Sequence, residues 1–468
     1  MQKSNNIPHE SAAYHVTGEA VYIDDMPVNE KLLHGRVVYS RHAHARIKSF
    51  DLSAARRLPG VCAVLCYKDI PNENQMGPVF HDEIVLAEDT VTFVGQAIFL
   101  VAAIDEEIAI EAEKLIKIEF KSLKPILSIE EAMIRGRLIQ QQRKIECGNI
   151  KKAFTQAQNT IEGQLKTGGQ EQWYLETQVA LAMPGEGKEL LVYSSTQHPS
   201  ETQALIAQVL GLPKMEVEVQ VRRMGGAFGG KETQANHTAI WASLLAHHTK
   251  SPVKIRLFRD DDQKMTGKRH RFLIKYKAGY NNEGVINAID VEQNADAGSS
   301  TDLSMAILER AMMHADNAYF IPNMKIIGKA WFTNLPSNTA FRGFGGPQGM
   351  ACMETIIDKI ARKLKKDPAE IRQKNFYGLA DRNITPYGQK VENNLLHVIW
   401  EQLIRSSEYF KRRKEINTFN CENEFYKKGL AITPVKFGIS FTTSFLNQAG
   451  ALIHIYKDGS VLVNNGGT

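Results

Sequence analysis

Short runs rich in strand-forming residues alternate with turn signals over the first 130 or so residues. Arg36-Val37-Val38-Tyr39, Val61 to Tyr67 and Thr92 to Ala103 read as strands, with Pro59-Gly60 and Pro71-Asn72 marking turns between them. Ile104 to Ile118 fits a helix passing into a strand. The mixture predicts a compact α+β domain over residues 1–125, followed by a polar, helix-prone linker over 126–148 that ends at Gly148. From Ala153 onward strands alternate with helices and glycine-rich loops. Gln164 to Thr167, Val179 to Met183, Leu190 to Tyr193, Val217 to Val221, Val253 to Phe258, Phe272 to Tyr280 and Val285 to Gln293 read as strands. Ser200 to Leu210, Thr233 to His248 and Met350 to Lys363 read as helices, and Asp367-Pro368 opens another with Asp367 as its cap. There is no internal repeat. The pattern assigns residues 149–468 to a second, larger unit, in keeping with a length of 468 residues and about 100 to 200 residues per domain.

Composition narrows the function classes. Hydrophobic residues at 43% and charged residues at 23% describe a globular chain. The apolar runs Ala97 to Ile104 and Leu190 to Tyr193 are too short to span a bilayer, and MQKSNNIPHE lacks a secretory apolar stretch, so a cytoplasmic protein without membrane contact is expected. Cys62, Cys66, Cys147, Cys352 and Cys421 are scattered without CxxC spacing, which indicates neither a disulfide framework nor an iron-sulfur site; any such centre belongs to another chain or segment. The net charge of +5 is spread out, with basic clusters only at Arg362, Lys363, Lys365, Lys366 and at Lys411, Arg412, Arg413, Lys414. Those read as solvated helix faces, and no nucleic-acid partner is expected.

Two glycine-rich loops carry the candidate chemistry. Arg222-Arg223-Met224-Gly225-Gly226-Ala227-Phe228-Gly229-Gly230-Lys231-Glu232-Thr233 lies between a strand and a helix, where backbone amides can face an anion. Gly225, Gly230 and Lys231 match G-x-x-x-x-G-K, but Glu232 stands where a phosphate loop needs Ser or Thr to hold magnesium, which argues against a nucleotide hydrolase. Asn338-Thr339-Ala340-Phe341-Arg342-Gly343-Phe344-Gly345-Gly346-Pro347-Gln348 also precedes a helix. Each loop alone could be a tight turn; together they can cradle one extended, polar, phosphorylated ligand.

The segments MGGAFGGKET, LPSNTAFRGFGGPQG, GGQEQWYLET and KFGISFTTSFLNQAGALIHIYKDGSV resemble the molybdenum-binding portion of the xanthine dehydrogenases, in the xanthine oxidase family. Upstream, Thr17-Gly18-Glu19-Ala20 with Tyr22 and Asp24-Asp25, His42-Ala43-His44-Ala45, Pro59-Gly60-Val61 and Val94-Gly95-Gln96 are similar to that family's α/β-hammerhead domain. The resemblance covers essentially the whole chain. It implies a hammerhead domain over 1–125 and a first molybdopterin-binding domain over 149–468. It further implies hydroxylation of a purine (hypoxanthine to xanthine, xanthine to urate), with oxygen from water and electrons passing to 2Fe-2S clusters, FAD and NAD on partner domains or a partner subunit. A molybdenum-molybdopterin cofactor, held through a pterin dithiolene rather than protein cysteines, would carry the redox chemistry, in an enzyme that assembles as a higher oligomer.

Residue by residue, the resemblance implies that Gln197 hydrogen-bonds an oxo ligand of molybdenum, that Phe228 and Gly229 supply backbone beside the metal, and that Arg342 lines the same centre. Glu232 matches the purine-side carboxylate and Arg310 the arginine facing the substrate oxygen. Phe344 and Phe441 match the rings that hold the flat purine, and Thr442 a neighbouring hydroxyl. Without the resemblance, Gln197, Arg310 and Arg342 read as surface groups, Glu232 as a helix-dipole partner, Phe228, Phe344 and Phe441 as packing, and Thr442 as a strand threonine. The charged pair Glu232 and Arg310 favours purines over the substrates of the related aldehyde oxidases, which generally lack it. The sequence closes on Asn465-Gly466-Gly467-Thr468, inside what in the family is a continuing GGTEMGQG motif. A further molybdenum-binding segment, bearing the glutamate that acts as general base, is therefore expected after Thr468, and no residue of the chain takes that role. An aldehyde oxidase and an inactive remnant are the alternatives left open.

Overall fold

A computed structural model of the chain describes residues 8–9, 11–27, 31–442 and 444–465. The closing Gly466-Gly467-Thr468 and most of MQKSNNIPHE, on which two expectations rest, lie outside the described residues.

The first 125 residues supply β1 (Leu33–Tyr39), β2 (Ala45–Asp51), β3 (Val61–Leu65), β4 (Thr90–Val91), β5 (Ala97–Ala103) and β6 (Lys117–Ser122). The run AIFLVAA makes β5 a strand buried along its whole length, with Leu100 and Ala102 entering one core and Phe99 and Val101 another. The helix expected after it forms over Glu106–Leu115, because Asp105 caps it by accepting from the Ile108 amide.

Further along lie β7 (Arg143–Cys147), β8 (Asn159–Thr167), β9 (Val179–Pro184), β10 (Leu190–Ser194), β11 (Val217–Gln220), β12 (Val253–Arg256), β13 (Phe272–Tyr280), β14 (Ile286–Gly298) and β15 (Met324–Phe332). A seven-stranded sheet runs β11-β10-β9-β12-β1-β5-β3, a five-stranded sheet β7-β15-β14-β13-β8, and a small sheet β4-β2-β6. The hairpin of β16 (Ala451–Ile455) and β17 (Val461–Asn465) stands apart, with Leu452, Ile453, Leu462 and Val463 exposed.

Two expectations change. The N-terminal unit does not close on itself: β1 pairs parallel with β12, Leu33 opposite Val253 and His34 opposite Lys254, so one sheet crosses the expected boundary. Nor is 126–148 a free linker. The helix Ile129–Ile134 buries Ile129 and Ala132 against Leu273 and Trp331, and β7 is the edge of the five-stranded sheet, paired with β15. Its polarity marks a half-exposed edge strand, which composition alone does not separate from a loop.

Three helices place the site. Ala235–Thr249 starts two residues later than expected and is buried from Ala235 to Ala246 against the seven-stranded sheet. Gly346–Leu364 starts four residues earlier, because Gly345 takes a left-handed φ of 98° and Pro347 fits the first turn. It crosses the helix Ser304–Met313 so closely that a Cβ on Gly349 would lie 2.1 Å from the Ala311 carbonyl oxygen. Gly349→Ala must therefore push two helices apart. Its denaturation midpoint should fall by the equivalent of about 1–3 kcal/mol, while Gly429→Ala, whose Cβ meets open space, leaves it unchanged. Equal midpoints for both variants would contradict this helix contact.

Candidate functional site

At the end of β10 the chain runs Ser194, Ser195, Thr196 and Gln197, and the first glycine loop folds against it. Lys231, the apparent phosphate-loop lysine, is fully buried. Its Nζ lies 2.9 Å from Glu176 Oε2 and 2.9 Å from Ser195 Oγ, and 4.8 Å from the centre of the Tyr174 ring. Glu176 Oε2 also accepts from Gly225 N at 2.9 Å and from Ser195 Oγ at 2.5 Å. Burial lowers the Lys231 pKa, and Glu176 opposes that shift. The ammonium is consumed as an internal clamp, which removes the nucleotide-hydrolase alternative on geometric grounds.

The clamp delivers the loop to its partner. Gly229, at φ 97°, donates from its amide to Gln197 Oε1 at 2.9 Å. That bond fixes the orientation of the Gln197 amide, so the exposed Nε2, which has no partner among the described residues, remains as a donor. A Cβ on Gly229 would come within 2.9 Å of the Ala340 carbonyl, so only glycine lets the two loops meet there. The Phe228 carbonyl accepts from the Arg342 amide at 2.9 Å, and Gln172 Nε2 donates to Ala340 O at 2.9 Å. Phe228 (φ 56°) and Phe344 (φ 47°) both hold a left-handed conformation unusual for phenylalanine.

Around the second loop lie cations without anions. Arg269, 8% exposed, stacks 4.0 Å from the Phe341 ring centre and donates to Arg342 O at 2.8 Å, while its Nε and Nη1 have no partner among the described residues. Burial pulls its pKa down to about 10, still charged at neutral pH. Arg310 is 4% exposed in the Ser304–Met313 helix, so the surface reading of this residue is wrong. Its Nη1 donates to Gly438 O and its Nη2 to Ile439 O at 3.3 Å and Ser440 O at 2.5 Å; Nε is buried without a partner among the described residues. Neither guanidinium has a carboxylate partner among the described residues, and the exposed Arg342 side chain has none either. Unpaired buried cations and spare amide donors fit a polar, anionic cofactor.

Of the expected purine-side residues, three meet directly. Phe344 and Phe441 have ring centres 5.7 Å apart at 50°, and the Arg310 guanidinium lies 5.5 Å from the Phe344 centre. The two rings touch each other and form no parallel slot; a planar guest between them needs roughly 7 Å, two van der Waals thicknesses. Thr442 is no strand residue, and its buried Oγ1 has no hydrogen-bond partner among the described residues. Glu232 faces a different set. Burial, with help from Glu201 and against His198, pushes its carboxyl up to about 7. His198 Nδ1 in turn lies 3.3 Å from Glu201 Oε2. No ion pair joins Glu232 to Arg310 among the described residues.

Comparison with known proteins matches these features. A family profile described as aldehyde oxidase and xanthine dehydrogenase, a/b hammerhead domain, matches residues 17–124, and two profiles described as molybdopterin cofactor-binding domain match 134–376 and 402–468. Xanthine dehydrogenase of Dictyostelium discoideum is 46% identical over 462 residues, covering 99% of this chain and 34% of its own. Xanthine dehydrogenase/oxidase of Rattus norvegicus is 45% identical over 463 residues, covering 99% and 35%. The chain thus spans about a third of the length of these relatives. The aldehyde oxidoreductase structure from Desulfovibrio gigas superposes with a TM-score of 0.84 at 26% identity, over 97% of this chain and 51% of that one. Fold and site together define a hammerhead domain joined to molybdopterin cofactor-binding domains. Within that class, the chain belongs to the xanthine dehydrogenase family.

The Lys231–Glu176 clamp and Arg269 escaped the sequence reading. Glu176 sits in the quoted GGQEQWYLET segment, but nothing local pairs it with a lysine 55 positions away; Arg269 carries no motif at all.

Two outcomes test this geometry. Lys231→Met strands Glu176 inside the fold and should cost about 3–5 kcal/mol, with part recovered in Lys231→Met/Glu176→Met; a single variant as stable as the parent would contradict the clamp. The Glu232 carboxyl is raised from its ordinary 4.5 to about 7, so its contribution to stability is full at low pH and is lost as pH rises through about 7. Glu232→Gln should therefore gain stability on the parent across that window, seen as diverging unfolding midpoints; parallel pH profiles would show that Glu232 is solvated.

Proposed function

We propose that this chain forms the purine-binding side and much of the cofactor-binding face of a molybdenum-dependent purine hydroxylase. The observation that carries the reading is the combination of Glu232, a half-buried carboxyl raised to about 7, with Arg310, a buried arginine without a carboxylate partner among the described residues. When bound, the molybdenum cofactor supplies oxygen transfer from water to a ring carbon and accepts two electrons.

The chain's own residues bind and orient. Gln197 Nε2, Phe228, Gly229 and Arg342 face the cofactor. Near neutrality Glu232 is divided between protonated and ionised forms, so it can donate to or accept from a purine ring nitrogen. Arg310 keeps Nε–H for negative charge that develops on the substrate oxygen. Phe344 and Phe441 part to admit the flat ring, and Thr442 Oγ1, now without a partner, bonds its edge. The general base comes from a further molybdenum-binding segment, and 2Fe-2S clusters and FAD from a partner subunit or partner domains, in a higher-order cytoplasmic assembly. Support comes from relatives named xanthine dehydrogenase that are about three times as long as this chain.

In a complex completed with those segments, Glu232→Ala or Arg310→Met should lower xanthine turnover by about 100- to 1,000-fold, the usual loss for one charge-stabilising donor, with molybdenum content unchanged. Parental rates in both variants would overturn the assignment. The 468-residue chain alone should give no xanthine-dependent reduction of an artificial dye, and the downstream segment added in trans should restore it. Dye reduction by the isolated chain would place the base among its own carboxylates.

A further inference from the structure

Arg310 and His314 stand one turn apart and reach the same stretch of chain, residues 437–440. His314 follows the Ser304–Met313 helix and is 4% exposed. Its Nδ1 lies 2.7 Å from the Arg310 carbonyl, and its Nε2 accepts from the Gly438 amide at 3.1 Å. Because Nε2 accepts, Nδ1 carries the proton and the ring is neutral. Burial, with the positive charges of Lys436 and Arg310, holds the imidazole pKa down to about 4, so neutrality persists across physiological pH. The ring also packs 5.0 Å from Phe437. Arg310 takes up the carbonyls of Gly438, Ile439 and Ser440 from the other side. One residue on, Phe441 meets Phe344.

We infer that His314 is a positioning residue: by accepting the Gly438 N–H it fixes the 437–440 strap, and through the strap it sets both the Phe441 ring and the direction of the Arg310 fork. The strap has a separate anchor just upstream, where Lys436 Nζ reaches Asp316 and Asn317 Nδ2 donates to Pro434 O at 3.0 Å. Loss of His314 therefore loosens 437–441 and leaves 434–436 held. The consequence for purine binding rests on the function proposed above; the strap geometry does not.

Amide hydrogen exchange of the full 468-residue chain tests this. In His314→Leu, amides of 437–441 should exchange about tenfold faster, as one lost hydrogen bond implies, with 435–436 and the Gly346–Leu364 helix unchanged. His314→Gln, which can accept from Gly438 and donate to Arg310 O, should restore most of the protection. Unchanged exchange in His314→Leu, or acceleration spread over the whole chain, would overturn the proposal. Should that variant fail to fold, Gly438→Pro removes the N–H while fixing φ at that position and leaves His314 in place, and unchanged exchange at 439–441 would overturn it equally. In the completed enzyme His314→Leu should raise the purine KM more than it lowers kcat, with rescue by Gln. An unchanged KM beside faster exchange would refute positioning of the site, whereas a parent that never turns over xanthine would refute the proposed function and leave the exchange result to decide the strap.

Discussion

Everything at the site depends on how closely two glycine loops approach each other. The contact of Gly229 with Ala340 and Phe341 leaves no room for a Cβ, and the Phe228 carbonyl to Arg342 amide bond closes it. Neither loop could hold that position by itself, since both contain glycines and phenylalanines at positive φ. The restoring force comes from behind the first loop, where a fully buried lysine ties Glu176, Ser195 and the Gly225 amide into one knot. A buried pair gains little against apolar substitutes of the same volume, but it specifies one arrangement, because any other would strand a charge. The second loop is fixed from the helix side, where Gly345 and Gly349 allow Gly346–Leu364 to seat on Ser304–Met313.

Behind the first loop the buried lysine has its counter-charge; the buried arginines at the second loop have none among the described residues. Lys231 has Glu176 and Arg372 has Glu354, whereas Arg269 and Arg310 are buried against rings and backbone carbonyls, and Glu232 is half-buried with its pKa raised further by Glu201. A junction that gathers cations without counter-charge and a half-protonated acid is arranged for a ligand that brings the complementary charge. The same reasoning explains why the tilted contact of Phe344 and Phe441 is informative: it joins the second glycine loop to the strap beside Arg310.

Much of this was legible in the sequence, for identifiable reasons. Strands such as Val179–Pro184 and Phe272–Tyr280 are marked by apolar runs, and Asp367 caps its helix as its position before Pro368 predicts. The loops were legible because glycine at such density has few other uses. What the sequence hid was long-range pairing. The parallel match of β1 with β12 joins residues about 220 apart, and β7 reads as linker because an edge strand needs little apolar character. Arg310 reads as a surface cation because its partners are backbone carbonyls, which leave no compositional trace.

The central claim is that the loop junction is a molybdopterin-binding face, and the most direct measurement is cofactor content when only that junction is disturbed. Molybdenum and pterin should be quantified in the completed enzyme carrying Gly229→Ala, whose Cβ would strike the Ala340 carbonyl, beside Gly429→Ala, whose Cβ meets open space. The account predicts a large loss of both molybdenum and pterin in Gly229→Ala and full occupancy in Gly429→Ala. Full occupancy in both would contradict it.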